Sequence, residues 1–120
     1  MLNGFHDQTK ELTEYERNTL LPIIISGLQR KVGIENAITS KEIESKLNLK
    51  GYDVNGARLR KLINFIRING LIDCLIASSK GYWIEDDKDK LLKYINSLEQ
   101  RAESIMHVAE CLKNQLWRQV

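Results

Sequence analysis

The chain has 120 residues, a formal net charge of +2 and 28% charged residues, values typical of one compact globular domain. No apolar run approaches the roughly 20 residues of a membrane span, and no basic stretch leads into an apolar one at the start. We therefore expect a cytoplasmic protein with no membrane partner. The sequence contains no Gly-rich phosphate loop and no nucleophile motif, so we do not expect an enzyme, a cofactor or a small-molecule substrate.

Metal binding is not expected either. Cys74 and Cys111 lie far apart and form no CxxC motif, and with two histidines besides them no zinc spacing can be assembled. We expect two buried, reduced thiols. The acids Glu85, Asp86, Asp87 and Asp89 resemble a metal cluster only in composition, because acidic residues at the start of a helix are favoured by its dipole.

The first helix is predicted to begin at a capping box. Residues 1–12 are polar and aperiodic and are predicted to be a flexible N-terminus. Thr13 and Glu16 have the spacing of a capping box, and the helical pattern that follows reaches about Gly33. Pro22 lies inside this pattern, so we expect a kink or two pieces, with Pro22 in the first turn of the second piece.

Residues 37–84 carry the order of elements that bears most on function. Residues 36–38 allow only a stub of strand. Thr39 and Glu42 form a second capping box, which opens a short helix with a buried side of Ile43, Leu47 and, as a further candidate, Leu49. Asp53 or Asn55 is predicted to cap a third helix, which ends at Asn69-Gly70.

The third helix has two distinct faces, and a hairpin follows it. Its apolar side is predicted to hold Leu59, Leu62, Ile63 and Ile66, and its other side Arg60, Lys61, Asn64, Phe65 and Ile68. An apolar strand over residues 71–77, a turn over residues 78–81 and a returning strand over residues 82–84 predict a β-hairpin. The predicted fold is a mainly α (α+β) winged helix-turn-helix domain over residues 13–86, with the hairpin as its wing.

The third helix is locally basic, and this makes double-stranded DNA the expected partner. A helix fits the major groove, and the residues near its start reach the base edges. We expect major-groove contacts from Asn55, Arg58, Lys61 and Asn64, and phosphate contacts from Ser40, Lys41 and Arg60. Ser79 and Lys80, at the tip of the wing, are expected to contact either the adjacent phosphates or the minor groove. A solvated helix face is the plainer alternative. The outward Phe65 and Ile68 favour a second one, a protein-interaction module that does not bind DNA.

The segments TSKEIESKLNL and VNGARLRKLINFIRINGLIDCLIASSKGYWI resemble small winged-helix DNA-binding proteins of bacteriophages and prophages. The recurring features are an opening I-T-x-x-E-I, a helix with R-x-x-I-N-x-[LI]-R-x-x-G and a wing ending S-x-G-Y-[YW]-[IL]. They fall here on residues 38–43, 60–70 and 79–84. The resemblance covers roughly residues 13–100 and implies a transcriptional regulator or a replication accessory protein.

The last part of the chain, residues 87–120, is predicted to be a single long helix that forms oligomers. Its apolar residues alternate spacings of four and three: Leu91, Ile95, Leu98, Ala102, Ile105, Ala109, Leu112 and Leu116. A helix from about Asp87 to about Trp117 would be about 45 Å long, more than the width of a domain of about 75 residues. We expect a homodimer, which would present two recognition helices to a two-fold DNA site. Packing on the same chain and a different protein partner remain alternatives.

Overall fold

The computed structural model describes residues 12–119. The chain divides into two compact units, Met1–Asp86 and Asp87–Val120. The first unit contains, in order, a π-helical turn (Glu16–Leu20), α1 (Leu21–Leu28), a 3-10 turn (Ile34–Asn36), α2 (Ser40–Leu49), α3 (Gly56–Ile68), β1 (Leu75–Ser78) and β2 (Gly81–Ile84). The second unit contains α4 (Lys88–Arg118). The prediction of a mainly helical chain with one hairpin and a long last helix is therefore confirmed.

The first helical segment begins and divides as predicted. The backbone N–H of Glu16 donates to Thr13 Oγ1 at 3.1 Å, and that of Thr13 donates to Glu16 Oε1 at 2.9 Å. The π-helical turn lies directly before Pro22, where a proline ring would crowd the carbonyl four residues earlier in a regular helix. The flexible segment predicted for residues 1–12 lies outside the described residues except at Leu12, which is buried in the core.

The end of α1 differs from the prediction. The helix stops at Leu28, not near Gly33, because the chain turns there to meet the hairpin. The N–H of Ile84 donates to the carbonyl of Lys31 at 2.7 Å, and the N–H of Gly33 donates to the carbonyl of Ile84 at 2.9 Å. The backbone groups of this connection are therefore satisfied by β2, a partner that lies about 50 positions away in the sequence and that helical periodicity does not reveal.

One apolar cluster holds the helices and the hairpin of the first unit together. Its most deeply buried side chains are Leu20, Leu59, Leu62, Ile63 and Ile66, so the predicted buried face of α3 is confirmed. Ile43 and Leu47 are also buried, but Leu49 is 88% exposed at the end of α2. The prediction that Phe65 points outward is wrong, because its ring is partly buried against this core.

The hairpin is shorter than its apolar sequence suggests. Residues 71–74 form turns, and β1 begins only at Leu75. Gly70, with φ 65°, lets the N–H of Leu71 return to the carbonyl of Ile66 and close α3. The strands pair from Leu75–Ile84 to Ser78–Gly81, which leaves a two-residue turn at positions 79–80. The predicted stub at residues 36–38 is reduced to a single bridge between Ile38 and Tyr82.

Replacing Gly81 with alanine is expected to lower the free energy of unfolding by about 2–4 kcal/mol. Gly81 has φ 114°, and a Cβ there would lie 2.5 Å from the carbonyl oxygen of Ile38. The strand pairing beside the Ile38 bridge would have to shift. Gly51→Ala is the matched control, because Gly51 also has a positive φ (91°) but a Cβ there meets nothing within 4 Å. Urea unfolding followed by tryptophan fluorescence measures both variants, and equal losses would contradict the clash.

Side chains on either side of the boundary between the two units have local partners. Glu85 is buried and accepts a hydrogen bond from Trp83 Nε1 at 3.1 Å. Asp87 caps α4, its Oδ1 accepting from the backbone N–H groups of Asp89 and Lys90.

Among residues 12–119 no group of three or more histidine, cysteine or acidic side chains could hold a metal ion. Within the same range no helix is long and apolar enough to cross a membrane.

The expectation of two buried thiols is wrong. Both cysteines are free, with Cys74 exposed and Cys111 half-buried. Cys74 has φ 61° and lies in the turn before β1, where the chain runs along the surface. A left-handed conformation at a non-glycine residue is typical of a tight turn, and the apolar neighbours of Cys74 in the sequence conceal that turn.

The helix α4 is continuous over 31 residues, so its predicted bounds are confirmed. None of its described residues is buried. The predicted apolar stripe contains several side chains with large exposed fractions: Ile95 41%, Leu98 38%, Ile105 69%, Leu112 57% and Leu116 61%.

Candidate nucleic-acid interface

The helix α3 is amphipathic along its whole length. One side lies in the core of the first unit, and the opposite side carries the exposed residues Ala57, Arg60, Asn64 and Ile68, with Lys61 half-buried beside them. Residues spaced three and four apart lie on one face of a helix. The structure therefore brings two basic residues and one amide together on the outer face of α3.

The start of α3 is capped by Asn55. Its Oδ1 accepts a hydrogen bond from the backbone N–H of Arg58 at 2.8 Å. Of the two predicted caps, Asn55 is confirmed. The cap satisfies one of the free amides at the start of a helix, and it engages the side-chain oxygen that a contact with adenine would need.

A buried carboxylate from the first helical segment meets two of the predicted groove residues. Glu16 Oε2 accepts from Arg58 Nε at 2.8 Å, and Glu16 Oε1 accepts from Lys61 Nζ at 2.9 Å. Only 4% of the Glu16 side chain is exposed. Burial alone would raise its pKa, but the hydrogen bonds from the Thr13 backbone, Lys61 and Arg58 outweigh burial and lower the pKa to about 2. Glu16 is therefore a charged group that ties α3 to the first helical segment.

Arg58 has further partners on the same side. Its Nη1 donates to the carbonyl oxygen of Asp53 at 2.9 Å and lies 3.3 Å from Asp53 Oδ2. Its guanidinium lies over the ring of Tyr15, 5.4 Å from the centroid, and the Tyr15 hydroxyl accepts from the backbone N–H of Asp53 at 2.9 Å. The side chain thus joins the first helical segment to the turn before α3.

The predicted phosphate contacts are placed at two neighbouring points. Ser40 and Lys41 are the first two residues of α2, and the Ser40 hydroxyl lies 3.3 Å from the hydroxyl of Tyr82 in β2. Ser79 and Lys80 form the exposed turn of the hairpin. The bridge between Ile38 and Tyr82 holds the start of α2 beside the hairpin, so the two points belong to one surface.

Arg60 lies on the exposed face of α3, but an acidic residue is close to it. Its Nη1 and Glu44 Oε2 both lie within 3.6 Å of where a Cβ on Gly56 would stand. Glu44 comes from α2, which packs against α3. The small residue at position 56 therefore leaves space that these two long side chains share at the start of α3.

Sequence reasoning did not identify Glu16 and Tyr15 as partners of the basic helix. The capping-box signal gave Glu16 a local role, which the structure confirms, but its pairing with Arg58 spans 42 positions. The indication that the sequence offers is the acidic residue Glu16 itself. A basic helix whose cations were all exposed to solvent would need no acidic partner.

No protein-family model, no curated protein and no solved structure matches this chain.

Proposed function

We propose that the first unit is a winged helix-turn-helix module that binds double-stranded DNA through α3. One observation supports this most strongly: the outer face of α3 exposes Arg60 and Asn64, with the half-buried Lys61 beside them, while its inner face is fixed in the core. A rigid helix with a polar, basic outer face suits the major groove. The capped α2 before it and the hairpin carrying Lys80 after it suit contacts with the flanking phosphates.

The contacts of the basic residues assign them different roles in this proposal. Arg60 and Asn64 are exposed and take the base contacts, since arginine can pair with guanine and asparagine with adenine. Arg58 and Lys61 share the Glu16 carboxylate and act as positioning residues that hold the angle of α3. Lys41 and Lys80 contact phosphates.

This division of roles gives a measurable salt dependence. If Lys41, Lys80 and one further cation neutralise phosphates, the logarithm of affinity should fall with the logarithm of salt concentration with a slope of about −3 per protomer. If Arg58 and Lys61 left Glu16 to contact phosphates as well, the slope would be about −4.5. A salt titration of binding by fluorescence anisotropy distinguishes the two arrangements.

Substituting Arg60 and Asn64 together with alanine is expected to weaken binding to the preferred duplex by roughly 30-fold or more, since each base contact contributes about 1–3 kcal/mol. The duplex is first obtained by selecting bound sequences from a random pool. The same variant should bind an unselected duplex only a few-fold more weakly, because phosphate contacts remain. Triple substitution of Arg58, Lys61 and Asn64 is a poorer test, because it also removes both cationic partners of Glu16.

Arg17→Ala is the matched control. Arg17 is exposed in the π-helical turn, so the variant loses one positive charge without changing α3. Its affinity for the selected duplex should stay within about threefold of the parent. A pool that shows no enriched sequence, at low salt and high protein concentration, would reject specific DNA binding. Equal losses in Arg17→Ala and the double variant would reject α3 as the reading helix.

We also propose that α4 joins two copies of the chain. The support is its continuous apolar stripe, whose side chains are largely exposed in the single chain. Apolar side chains repeating at alternating spacings of four and three are typical of helices that pair. A two-fold pair would supply two copies of α3 to a DNA site with matching symmetry.

A protein-interaction module is the alternative, and two residues favour it. Ile68 and Leu71, at the end of α3, are 48% and 41% exposed. Apolar side chains at that position suit a protein partner better than a DNA phosphate. This alternative predicts no salt-dependent DNA affinity and a partner that is released by Ile68→Asp.

A further inference from the structure

A groove lies between α1 and α2, away from the outer face of α3. Its volume is about 650 Å³, within the usual range of small-ligand sites. The floor is formed by aliphatic side chains of both helices, among them Ile23, Ile24, Ile43 and Leu47. Along α1 its lining runs from Pro22 to Leu28, which corresponds to about 9 Å of helix, and it continues past the end of α1 to Lys31.

The rim of this groove is positively charged. Arg30 and Lys31 follow the end of α1, and Lys46 and Lys50 belong to the last turn of α2 and the residue after it. Among the described residues that line the groove, none is acidic and none is aromatic. Glu42 does not line the groove; its carboxylate accepts from Thr39 in the capping box, and these hydrogen bonds, together with the nearby charges of Lys46 and Lys31, lower its pKa. The rim therefore attracts an anion.

Gly27 provides a second observation that points to an occupant. It lies in the last turn of α1, faces the groove and has no positive φ. A Cβ at this position would meet nothing within 4 Å, so neither packing nor backbone conformation within the chain requires glycine there. Glycine is a much poorer helix former than alanine. Because glycine has no side chain, Gly27 leaves open space over the aliphatic floor of the groove.

The geometry points to a binding site for an aliphatic anion, an alkyl chain with a carboxylate head, in the groove between α1 and α2. The alkyl chain lies on the isoleucine and leucine floor beside Gly27. The carboxylate binds the lysine and arginine side chains at the rim. Aliphatic walls without an aromatic ring favour a chain over a flat, stacking ligand. The site is distinct from the proposed base contacts, because no residue of α3 lines it.

Titration of the full ¹⁵N-labelled chain with decanoate tests the proposal. We expect saturable amide shifts clustered on α1 and α2, with a Kd on the order of 0.1–1 mM for a few buried methylene groups and one charged head. Acetate has the head without the chain, and decyltrimethylammonium has the chain with the opposite charge. Both should bind at least about tenfold more weakly than decanoate.

Two pairs of variants separate the apolar floor from the charged rim. Gly27→Leu fills the groove and should weaken decanoate binding at least about tenfold, whereas Gly27→Ala should change it only a few-fold. Both replace glycine with a better helix former, so both should melt no lower than the parent. The double variant Lys46→Gln with Lys50→Gln should weaken binding about tenfold, and the double variant Lys90→Gln with Lys93→Gln on α4 should leave it unchanged.

Three outcomes would overturn the proposal. The first is the absence of saturable shifts on α1 and α2 with decanoate. The second is equal binding of decanoate and decyltrimethylammonium, which would show that the rim charges are not used. The third is shifts confined to the apolar stripe of α4, which would show adsorption of the alkyl chain elsewhere.

Discussion

Replacing Glu16 with glutamine is expected to lower the free energy of unfolding by about 3 kcal/mol at neutral pH. The carboxylate is almost fully buried between Arg58 and Lys61, and both cations would lose their shared partner. The cost falls at the low end for a broken buried pair, because the side chains of Arg58 and Lys61 are 25% and 31% exposed and can be rehydrated. Glutamine still completes a capping box with Thr13, so the substitution removes the charge but not the cap.

The same group makes the stability of the parent protein depend on pH. Glu16 has a pKa of about 2 in the folded chain, below its ordinary value of 4.5, so folding favours the charged form. Its contribution is fully present above about pH 4.5 and is lost as the pH falls from there towards 2. At 1.36 kcal/mol for each pKa unit, the difference amounts to about 3 kcal/mol. This matches the expected cost of Glu16→Gln, which removes the same charge at all pH values.

Urea unfolding at pH 7 and pH 3 measures both effects. The difference in free energy of unfolding between parent and Glu16→Gln should be largest at pH 7 and should shrink at pH 3. Glu14→Gln is the matched control, because Glu14 is exposed in the same helical segment and its loss should cost less than about 0.5 kcal/mol. If the difference between parent and Glu16→Gln were the same at both pH values, Glu16 would not be the titrating group.

The local features of the fold could be predicted because their partners are close in the sequence. The Thr39–Glu42 capping box and the Asn55 cap each join residues three positions apart. Pro22 imposes its restriction on the preceding turn. The start of β1 could not be predicted in this way. A run of apolar residues can form a turn or a strand, and composition alone does not distinguish the two. The end of α1 depends on pairing with β2, which is set only when the chain folds.

The outer face of α3 could be predicted, but the contacts of its charges could not. Helical periodicity places Arg60, Lys61 and Asn64 on one side whatever lies around them. Whether a cationic side chain of α3 is available to a ligand depends on the acidic side chains of other elements that pack beside it. Glu16 reaches Arg58 and Lys61 because α3 packs beside the first helical segment, and this pairing has no short-range signature.

Replacing Ile105 with glutamate is expected to weaken self-association through α4 by at least about 100-fold. Ile105 lies near the middle of the apolar stripe and is 69% exposed in the single chain, so a second copy has a large side chain there to bury. In a symmetric pair the substitution removes two isoleucines and places two negative charges in one interface. The helix should still form, since glutamate is as good a helix former as the residues around it.

Sedimentation equilibrium of parent and variant at the same concentrations measures the effect, with circular dichroism as the check on helix content. Gln100→Glu is the matched control, because it adds the same charge to α4 on the side opposite the stripe and should leave the dimer intact. A parent chain that is monomeric at all concentrations would reject the homodimer.

If the parent is a dimer, Ile105→Glu should also bind a selected two-fold DNA site much more weakly while binding a single half-site as the parent does. The loss of affinity for the two-fold site then measures the contribution of linking two copies of α3 in one dimer. A loss of affinity for the half-site would show that the substitution had disturbed α3.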